Sequence, residues 1–260
     1  MSLEASVTAA LTAVNNSINT LNGVGAAFQA GAANLTAGYQ AVVASAVRSA
    51  VVDQVAGSDA TGDGSGAAPY KTIQKALDMT PRGGVCQVTL RSDYSHLTDD
   101  TLIDGRRMIL NVEGVAKKNI YFAKTSVVSG AYTLRKLYGF KFKNGGSIAA
   151  YSVILNVPAA VGAESGWLAH DNGAVFKTDD SQGDGGFSIM LMGCDISVPN
   201  ANFGALVGSI TPVPCAFNWQ NNAMIGEATS ILGRLFAGQT NTAGTASTTL
   251  PWLLTNLANV

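Results

Sequence analysis

The stretch that decides the fold is residues 57–78, GSDATGDGSGAAPYKTIQKALD. Its first half is rich in glycine, aspartate and serine, which favour tight turns because glycine tolerates positive φ and aspartate bonds nearby backbone. Its second half carries four apolar residues on one helical face: Tyr70, Ile73, Ala76 and Leu77. The pattern predicts a turn and then a short helix near residues 69–79, ended by the proline and glycines of residues 81–84.

This short helix is followed at once by a strand-like run, GGVCQVTL (residues 83–90). A helix of about two turns is not stable by itself in water. We therefore expect the helix to cap the open end of an elongated β-structure, where it covers the apolar edge of the first coil.

The chain after Val55 consists of short runs rich in valine, isoleucine, leucine, phenylalanine and tyrosine, separated by glycine, asparagine, aspartate and serine. Such runs predict strands, and their continuous apolar triplets favour strands covered on both faces. The runs are GGVCQVTL, RRMILNVEG, KNIYFAK, YTLRKLYGFKFKN, YSVILNV, GAVFKT, FSIMLMGCDISV and CAFNWQNNAMIG. They follow no fixed period, so a sandwich, a barrel and a parallel β-solenoid all fit them.

The N-terminal segment, residues 1–55, begins with a coiled-coil pattern. Apolar residues alternate spacings of four and three at Val7, Leu11, Val14, Ile18 and Leu21. The same register continues through Gly25, Phe28, Ala32, Leu35, Tyr39, Val42 and Ala46. Glycines at four positions weaken a helix by up to about 1 kcal/mol each, so we expect breaks after about Leu21.

Glu4 is the only charged side chain between Met1 and Val47. A solvated coiled coil carries glutamate and lysine beside its seam, whereas this segment has alanine, serine, threonine, asparagine and glutamine there. We predict an oligomeric or docked helical arm, and the alternative is a helical hairpin packed on the chain's own core.

The composition excludes several classes of protein. Charged residues make up 13% of the 260 positions and the net charge is −1, so nothing in the total indicates binding to nucleic acid or to an acidic membrane surface. No apolar run reaches the ~18 residues of a membrane span, and the start lacks the basic region of a secretory signal. Cys86, Cys194 and Cys215 are expected to be buried free thiols.

The C-terminal segment, residues 228–260, is again nearly uncharged. It ends in an apolar cluster that contains Trp252, Leu253, Leu254 and Leu257. Disordered tails are rarely so poor in charge and so rich in large apolar groups. We expect this segment to pack against neighbouring subunits.

Glycan cleavage needs a pair of carboxylates, and two clusters could supply one. The clusters are Asp99, Asp100 and Asp104, and Asp179, Asp180 and Asp184. Acids in glycine-rich turns more commonly bond their own backbone. The second cluster also lacks the ordered ligand spacing of a calcium loop. We predict no catalytic residue, no cofactor and no metal.

Two sets of residues suggest binding. Trp167, His170 and Asp171 form a possible sugar platform, because an indole ring stacks on apolar sugar faces; the alternative is that Trp167 packs in a subunit interface. Basic residues cluster between positions 106 and 143, and Arg106, Arg107, Lys117 and Lys118 form a possible anion site. An acidic partner or a solvated strand face explains these charges equally well.

The segment from Gly62-Asp63-Gly64 to Asp78, with its following P-x-G-G turn, resembles the start of the right-handed parallel β-helix of bacteriophage tailspikes and the wider pectate-lyase-like group. The step Ile103-Asp104-Gly105-Arg106 resembles the next coils, and the resemblance covers residues 57–114. It implies a β-helical body in a homotrimer that is attached to the virion through its N-terminal part.

These observations predict a helical attachment and trimerisation arm (1–55), a β-rich body that is a short β-helix or a sandwich (56–227) and a C-terminal assembly segment (228–260). The function that we expect is that of a structural tail or head fibre or spike on the virion surface. Its partners would be head, portal, tail or baseplate proteins and a host surface glycan. The alternatives are a glycan depolymerase, whose β-helix is generally longer than this body, and an adaptor between virion proteins.

Overall fold

The computed structural model describes residues 3–129, 132–159, 173–178, 186–199, 205–208, 214–226, 236–237 and 253–255. The chain forms two compact units, one that ends at Ser45 and one that begins at Ala46. The first unit is helical, and the second is built mainly of strands. With 44% strand and 25% helix, the molecule is mainly β, with parallel sheets and an N-terminal helix.

The N-terminal unit is one helix, α1 (Leu3–Ala46), of 44 residues. The expectation of breaks after Leu21 is wrong, since the helix continues through Gly23, Gly25, Gly31 and Gly38. Glycine lowers helix stability but keeps its N–H, so it does not interrupt the backbone hydrogen bonds as proline would.

The second unit contains a short helix, α2 (Ile73–Asp78), and the strands that follow. The described strands are β1 (Val47–Val52), β2 (Val85–Leu90), β3 (Tyr94–His96), β4 (Thr101–Asp104), β5 (Arg107–Val112), β6 (Lys118–Phe122), β7 (Lys124–Ser129), β8 (Tyr132–Leu137), β9 (Phe140–Lys143), β10 (Ser147–Tyr151), β11 (Val153–Asn156), β12 (Ala174–Thr178), β13 (Phe187–Met192), β14 (Asp195–Val198), β15 (Ala205–Gly208), β16 (Cys215–Gln220), β17 (Ala223–Gly226), β18 (Phe236–Ala237) and β19 (Leu253–Thr255). All eight runs predicted as strands contain strands. The first strand, β1, lies inside the range predicted for the arm.

These strands form three parallel sheets that the chain visits in rotation. Sheet A has the order β1-β2-β5-β10-β13-β16-β19, sheet B the order β3-β6-β11-β14-β17 and sheet C the order β4-β9-β12-β15-β18. From β2 onward the chain passes from sheet A to B to C and back to A. Among the described strands, only the antiparallel hairpin β7–β8 departs from this rotation. It lies in the chain between β6 of sheet B and β9 of sheet C.

The core consists of side chains stacked along columns of paired residues. In sheet A one column is apolar from β2 to β16: Cys86, Met108, Ile148, Ile189 and Phe217, all buried. Alternate residues of a strand point to opposite faces, so one face of each sheet supplies such columns. Each fully buried large side chain contributes roughly 1.5–3 kcal/mol, and stacking repeats this contribution at every turn of the chain.

The stretch 57–72 covers the free edge of β1. The N–H of Val51 donates to the Gly64 carbonyl at 2.8 Å, and the N–H of Tyr70 donates to the Val51 carbonyl at 3.0 Å. A Cβ on Gly64, whose φ is +84°, would lie 2.6 Å from the buried ring of Tyr70. The glycine-rich turn therefore brings backbone close enough to satisfy an exposed strand edge.

The same stretch also begins α2. One Asp59 carboxylate oxygen accepts the N–H groups of Lys71 at 2.9 Å and Thr72 at 3.0 Å. The Thr72 hydroxyl accepts the N–H of Lys75 at 3.1 Å and so caps the helix. The four apolar residues predicted for one face, at positions 70, 73, 76 and 77, are all buried.

Candidate functional site

The helix α1 has an apolar seam, which we define as Val7, Leu11, Val14, Ile18, Leu21, Phe28, Leu35 and Tyr39. With Gly25 and Ala32 at the two intervening positions, the seam alternates spacings of four and three. The exposure of its eight large side chains runs from 48% at Ile18 to 78% at Phe28. Of the large apolar residues exposed on the described part of α1, Leu3 and Val24 lie off this seam. Large apolar side chains in a row at such exposure form an unusually apolar surface for a helix.

Five hydroxyl groups of α1 form hydrogen bonds within the helix. Thr8, Thr12, Ser17, Thr20 and Thr36 each donate to the carbonyl four residues earlier, at 2.9–3.0 Å. None of these residues lies on the seam. These polar groups are therefore satisfied within the helix, whereas the seam is exposed.

The basic residues predicted as an anion site start two strands in different sheets. Arg106 directly precedes β5 of sheet A, and Lys118 begins β6 of sheet B. Arg106 donates to the Thr80 carbonyl at 2.6 Å and to the Asp104 carbonyl at 3.0 Å. Its guanidinium group thus ties the turn after α2 to the start of β5.

The other three predicted anion-site residues differ in their surroundings. Lys117 donates to Asp195 at 2.6 Å in a half-exposed ion pair, so its charge is already balanced. Arg107 is exposed and Lys118 is half-buried. Of the four predicted residues, Arg107 and Lys118 have the side chains best placed to meet an external anion.

The first carboxylate cluster is divided among separate contacts. Asp100 pairs with Lys177 at 2.7 Å, and Asp104 accepts from Arg82 and Asn144. Burial raises the pKa of the Asp104 carboxyl group. The hydrogen bond from Asn144 and the charge of Arg82 outweigh this effect, so the pKa lies below its ordinary value. Both carboxylates are held by cations or donors, an arrangement suited to structural contacts rather than to a shared acid–base pair.

His96 lies in an aromatic part of the core. Its ring stacks on Phe122 at 5.3 Å and meets Phe140 edge-on at 4.8 Å, and its Nε2 has no hydrogen-bond partner among the described residues. Burial, with a smaller effect from the positive charge of Lys177, lowers the pKa of His96 from 6.5 to about 3. The ring is therefore neutral near pH 7 and serves packing.

The residue that sequence reasoning missed is Lys177. Its side chain is fully buried in β12, where it contacts Asp100 and the carbonyl of Leu137. The signal was present, because this lysine ends a continuous apolar run, GAVFK, that has no polar face for it. A buried lysine is rare unless it is paired.

Several predicted residues lie outside the described part of the chain. They are the sugar platform Trp167, His170 and Asp171, the acids Asp179, Asp180 and Asp184, and most of the C-terminal segment 228–260. In that segment the structure describes β18, which adds to sheet C, and β19, which adds to sheet A. Leu254 in β19 is 76% exposed.

The three cysteines are free and buried, as predicted. Burial raises the pKa of each thiol, to about 12 for Cys215. Over the described residues, no group of three or more histidines, cysteines, aspartates or glutamates could hold a metal ion. The described helices include none that is long and apolar enough to cross a membrane.

No protein-family model matches the chain, and neither the curated proteins nor the solved structures contain a significant match to it.

Proposed function

We propose that this chain is the subunit of a homotrimeric virion fibre or short spike, which attaches to the particle through its N-terminal helix and adheres to the host surface through its body. The exposed apolar seam of α1 carries the proposal. The resemblance of residues 57–114 to the start of tailspike β-helices supplies the virion context.

The pattern of the seam supports a coiled coil of more than two helices. With Leu11 and Ile18 at the first core position of the heptad, Val7 and Val14 occupy the second. Leucine or isoleucine at the first position with isoleucine at the second favours three or four helices over two, and valine shares the β-branched shape of isoleucine. Burying one such side chain contributes roughly 1.5–3 kcal/mol, so the eight large seam residues on each helix offer a large driving force for association.

The rotation of the chain through three parallel sheets supports a β-helical body. A sandwich of the immunoglobulin type is built from antiparallel sheets, whereas sheets A, B and C are parallel throughout their described pairs. Each strand of one sheet stacks on the strand of the preceding turn, as in a solenoid. We infer that the three sheets form the faces of a short parallel β-helix.

Adhesion is favoured over glycan cleavage by the contacts of the described acids. Asp100 and Asp104 are engaged by Lys177 and by Arg82 with Asn144. The depolymerase alternative would rely on Asp179, Asp180 and Asp184 instead. The adaptor alternative would use the seam and the C-terminal segment as two separate binding surfaces.

Light scattering of the full chain tests the trimer. The mass should equal three chains, and Ile18→Glu should lower it, because the substitution places a charge in the middle of the seam. Asn16→Glu is the matched control, since it adds the same charge on the opposite side of the helix. A wild-type monomer, or an Ile18→Glu protein as large as the control, would contradict the proposal.

Incubation of the same trimer with host surface polysaccharide separates the alternatives. A polysaccharide that is bound and keeps its length supports adhesion. A shortened polysaccharide supports the depolymerase, and Asp179→Asn with Asp180→Asn would then be the first variants to assay. Absence of binding, combined with capture of other virion proteins, supports the adaptor.

A further inference from the structure

The most unusual polar contact in the body joins Lys177 of β12 to Asp100, which directly precedes β4. The Nζ of Lys177 lies 2.7 Å from Oδ1 of Asp100 and also donates to the carbonyl of Leu137, the last residue of β8. The lysine side chain has 0% exposure and that of the aspartate 13%. The pair is therefore closed off from water almost completely.

The backbone around Gly139 fixes the carboxyl group of this pair. The N–H of Gly139 donates to Oδ1 of Asp100 at 2.9 Å, and the Gly139 carbonyl accepts the N–H of Thr101 at 2.7 Å. A Cβ at Gly139 would lie 2.3 Å from the carbonyl oxygen of Val175. Three chain segments thus meet without spare room and hold the amine against the carboxyl group.

The surroundings of Lys177 weaken its hold on the ammonium proton. Burial lowers the pKa of Lys177; the charge of Asp100 opposes this, and the charges of Lys136 and Lys141 lower it further. Keeping two charges out of water costs several kcal/mol per ion, and transfer of the ammonium proton within the pair removes this cost. The form of the pair that can react is the one after this transfer, with a neutral amine in contact with a carboxyl group.

We propose that Lys177 and Asp100 condense to an intramolecular amide, which cross-links β12 to the segment before β4. The Nζ lone pair attacks Cγ of Asp100, and the developing charge on Oδ1 is stabilised by the N–H of Gly139, as in an oxyanion hole. Oδ2 then leaves as water, carrying the carboxyl proton and one proton from the amine. An amine and a carboxylic acid give an amide and one water, and no oxidant or reductant takes part.

This cross-link goes beyond the proposed fibre function and does not depend on it. It would close the chain between residues 100 and 177, a segment that contains the hairpin β7–β8 and the middle strands of all three sheets. A covalent tie across these strands prevents their separation even when the hydrogen bonds between them open.

The mass of the intact, denatured full-length chain tests the cross-link. The chain is purified folded, with a cooperative thermal transition as the criterion, and incubated at length before it is denatured. The wild type should be lighter than its sequence by one water. Lys177→Met and Asp100→Ala should each have the full sequence mass.

A proteolytic map provides the matched internal control. It should yield one branched peptide that joins the segments containing Asp100 and Lys177. The pair Lys117–Asp195 is as close, at 2.6 Å, but its lysine side chain is 34% exposed, so its peptides should remain linear. A folded wild-type chain of full sequence mass, or a link at Lys117–Asp195 instead, would overturn the proposal, and neither result would bear on the trimer.

Discussion

At the scale of the residue, His96 is a polar ring that packs inside the aromatic core. The imidazole lies among Tyr94, Phe122 and Phe140 as a fourth aromatic side chain. Its Nδ1 is 3.5 Å from the hydroxyl of Thr101, and its Nε2 is unpartnered among the described residues. The fold keeps this ring only in its neutral form, because a charge there would be buried without compensation.

The buried ring predicts a loss of stability in acid. The pKa of His96 is about 3 in the folded chain and 6.5 when the ring is exposed, so the unfolded state binds more protons between these values. The free energy of unfolding should therefore fall as the pH drops from 6.5 to about 3, by roughly 1 kcal/mol per pH unit from this residue alone.

Urea unfolding of the wild type and His96→Phe at a series of pH values measures this contribution. The variant should retain the ring contacts and lose the part of the pH dependence that comes from the imidazole. It should also be at least as stable at pH 7, because it removes an unsatisfied nitrogen. Parallel pH curves for the two proteins would show that His96 is not the group responsible.

At the scale of the element, the turns on either side of α2 each contain a glycine with positive φ, but only one of these glycines is also in close contact with a side chain. Gly64 and Gly83 both have positive φ, +84° and +77°. A Cβ on Gly64 would overlap the ring of Tyr70, which is fully buried, whereas nothing lies within 4 Å of a Cβ on Gly83. The two positions therefore separate the cost of the backbone conformation from the cost of the contact.

We predict that Gly64→Ala destabilises the body more than Gly83→Ala. Both variants pay about 1 kcal/mol for a left-handed backbone, and only Gly64→Ala must also displace Tyr70 and the hydrogen bonds that cover β1. Thermal unfolding of the full-length variants checks the order. Equal midpoints would mean that the turn moves freely away from Tyr70.

Much of this element structure could be read from the sequence, because turn residues and apolar runs act locally. The apolar face between Tyr70 and Leu77 predicts the short helix, and the β-branched and apolar composition of the longer runs predicts the strands. The sequence places the strand β1 in the arm, since Val47 follows the helical seam without a break in composition. The order of strands in sheets A, B and C could not be read, because register depends on contacts between residues far apart in the chain.

The candidate sites were less predictable for a related reason. The helix seam is periodic and could be found from spacing alone. The contact of Lys177 with Asp100 depends on three segments that meet only in the folded chain, and no local pattern encodes it. Likewise, the engagement of Arg106 by backbone carbonyls could not be separated from a solvent-facing charge in the sequence.

At the scale of the whole molecule, the division at Ser45 predicts that the two units have separate tasks. The body, from Ala46 onward, contains the buried core and its own cap over β1, whereas α1 exposes its seam. Deletion of residues 1–45 should therefore leave the strand content and the thermal transition of the body largely intact. The same deletion should remove the surface proposed for self-association, so the mass of the protein in solution should fall to that of one body.

Attachment to the virion would also involve the whole molecule, and its test rests on the proposed function. If α1 is the attachment arm, particles assembled with the chain lacking residues 1–45 should not contain the body, although the body is folded. Particles assembled with Asn16→Glu should contain the full chain in normal amount, because that substitution leaves the seam intact. A truncated chain that is still incorporated would assign attachment to another surface, and Leu254 in the last described strand, with its exposed side chain, would be the first to substitute.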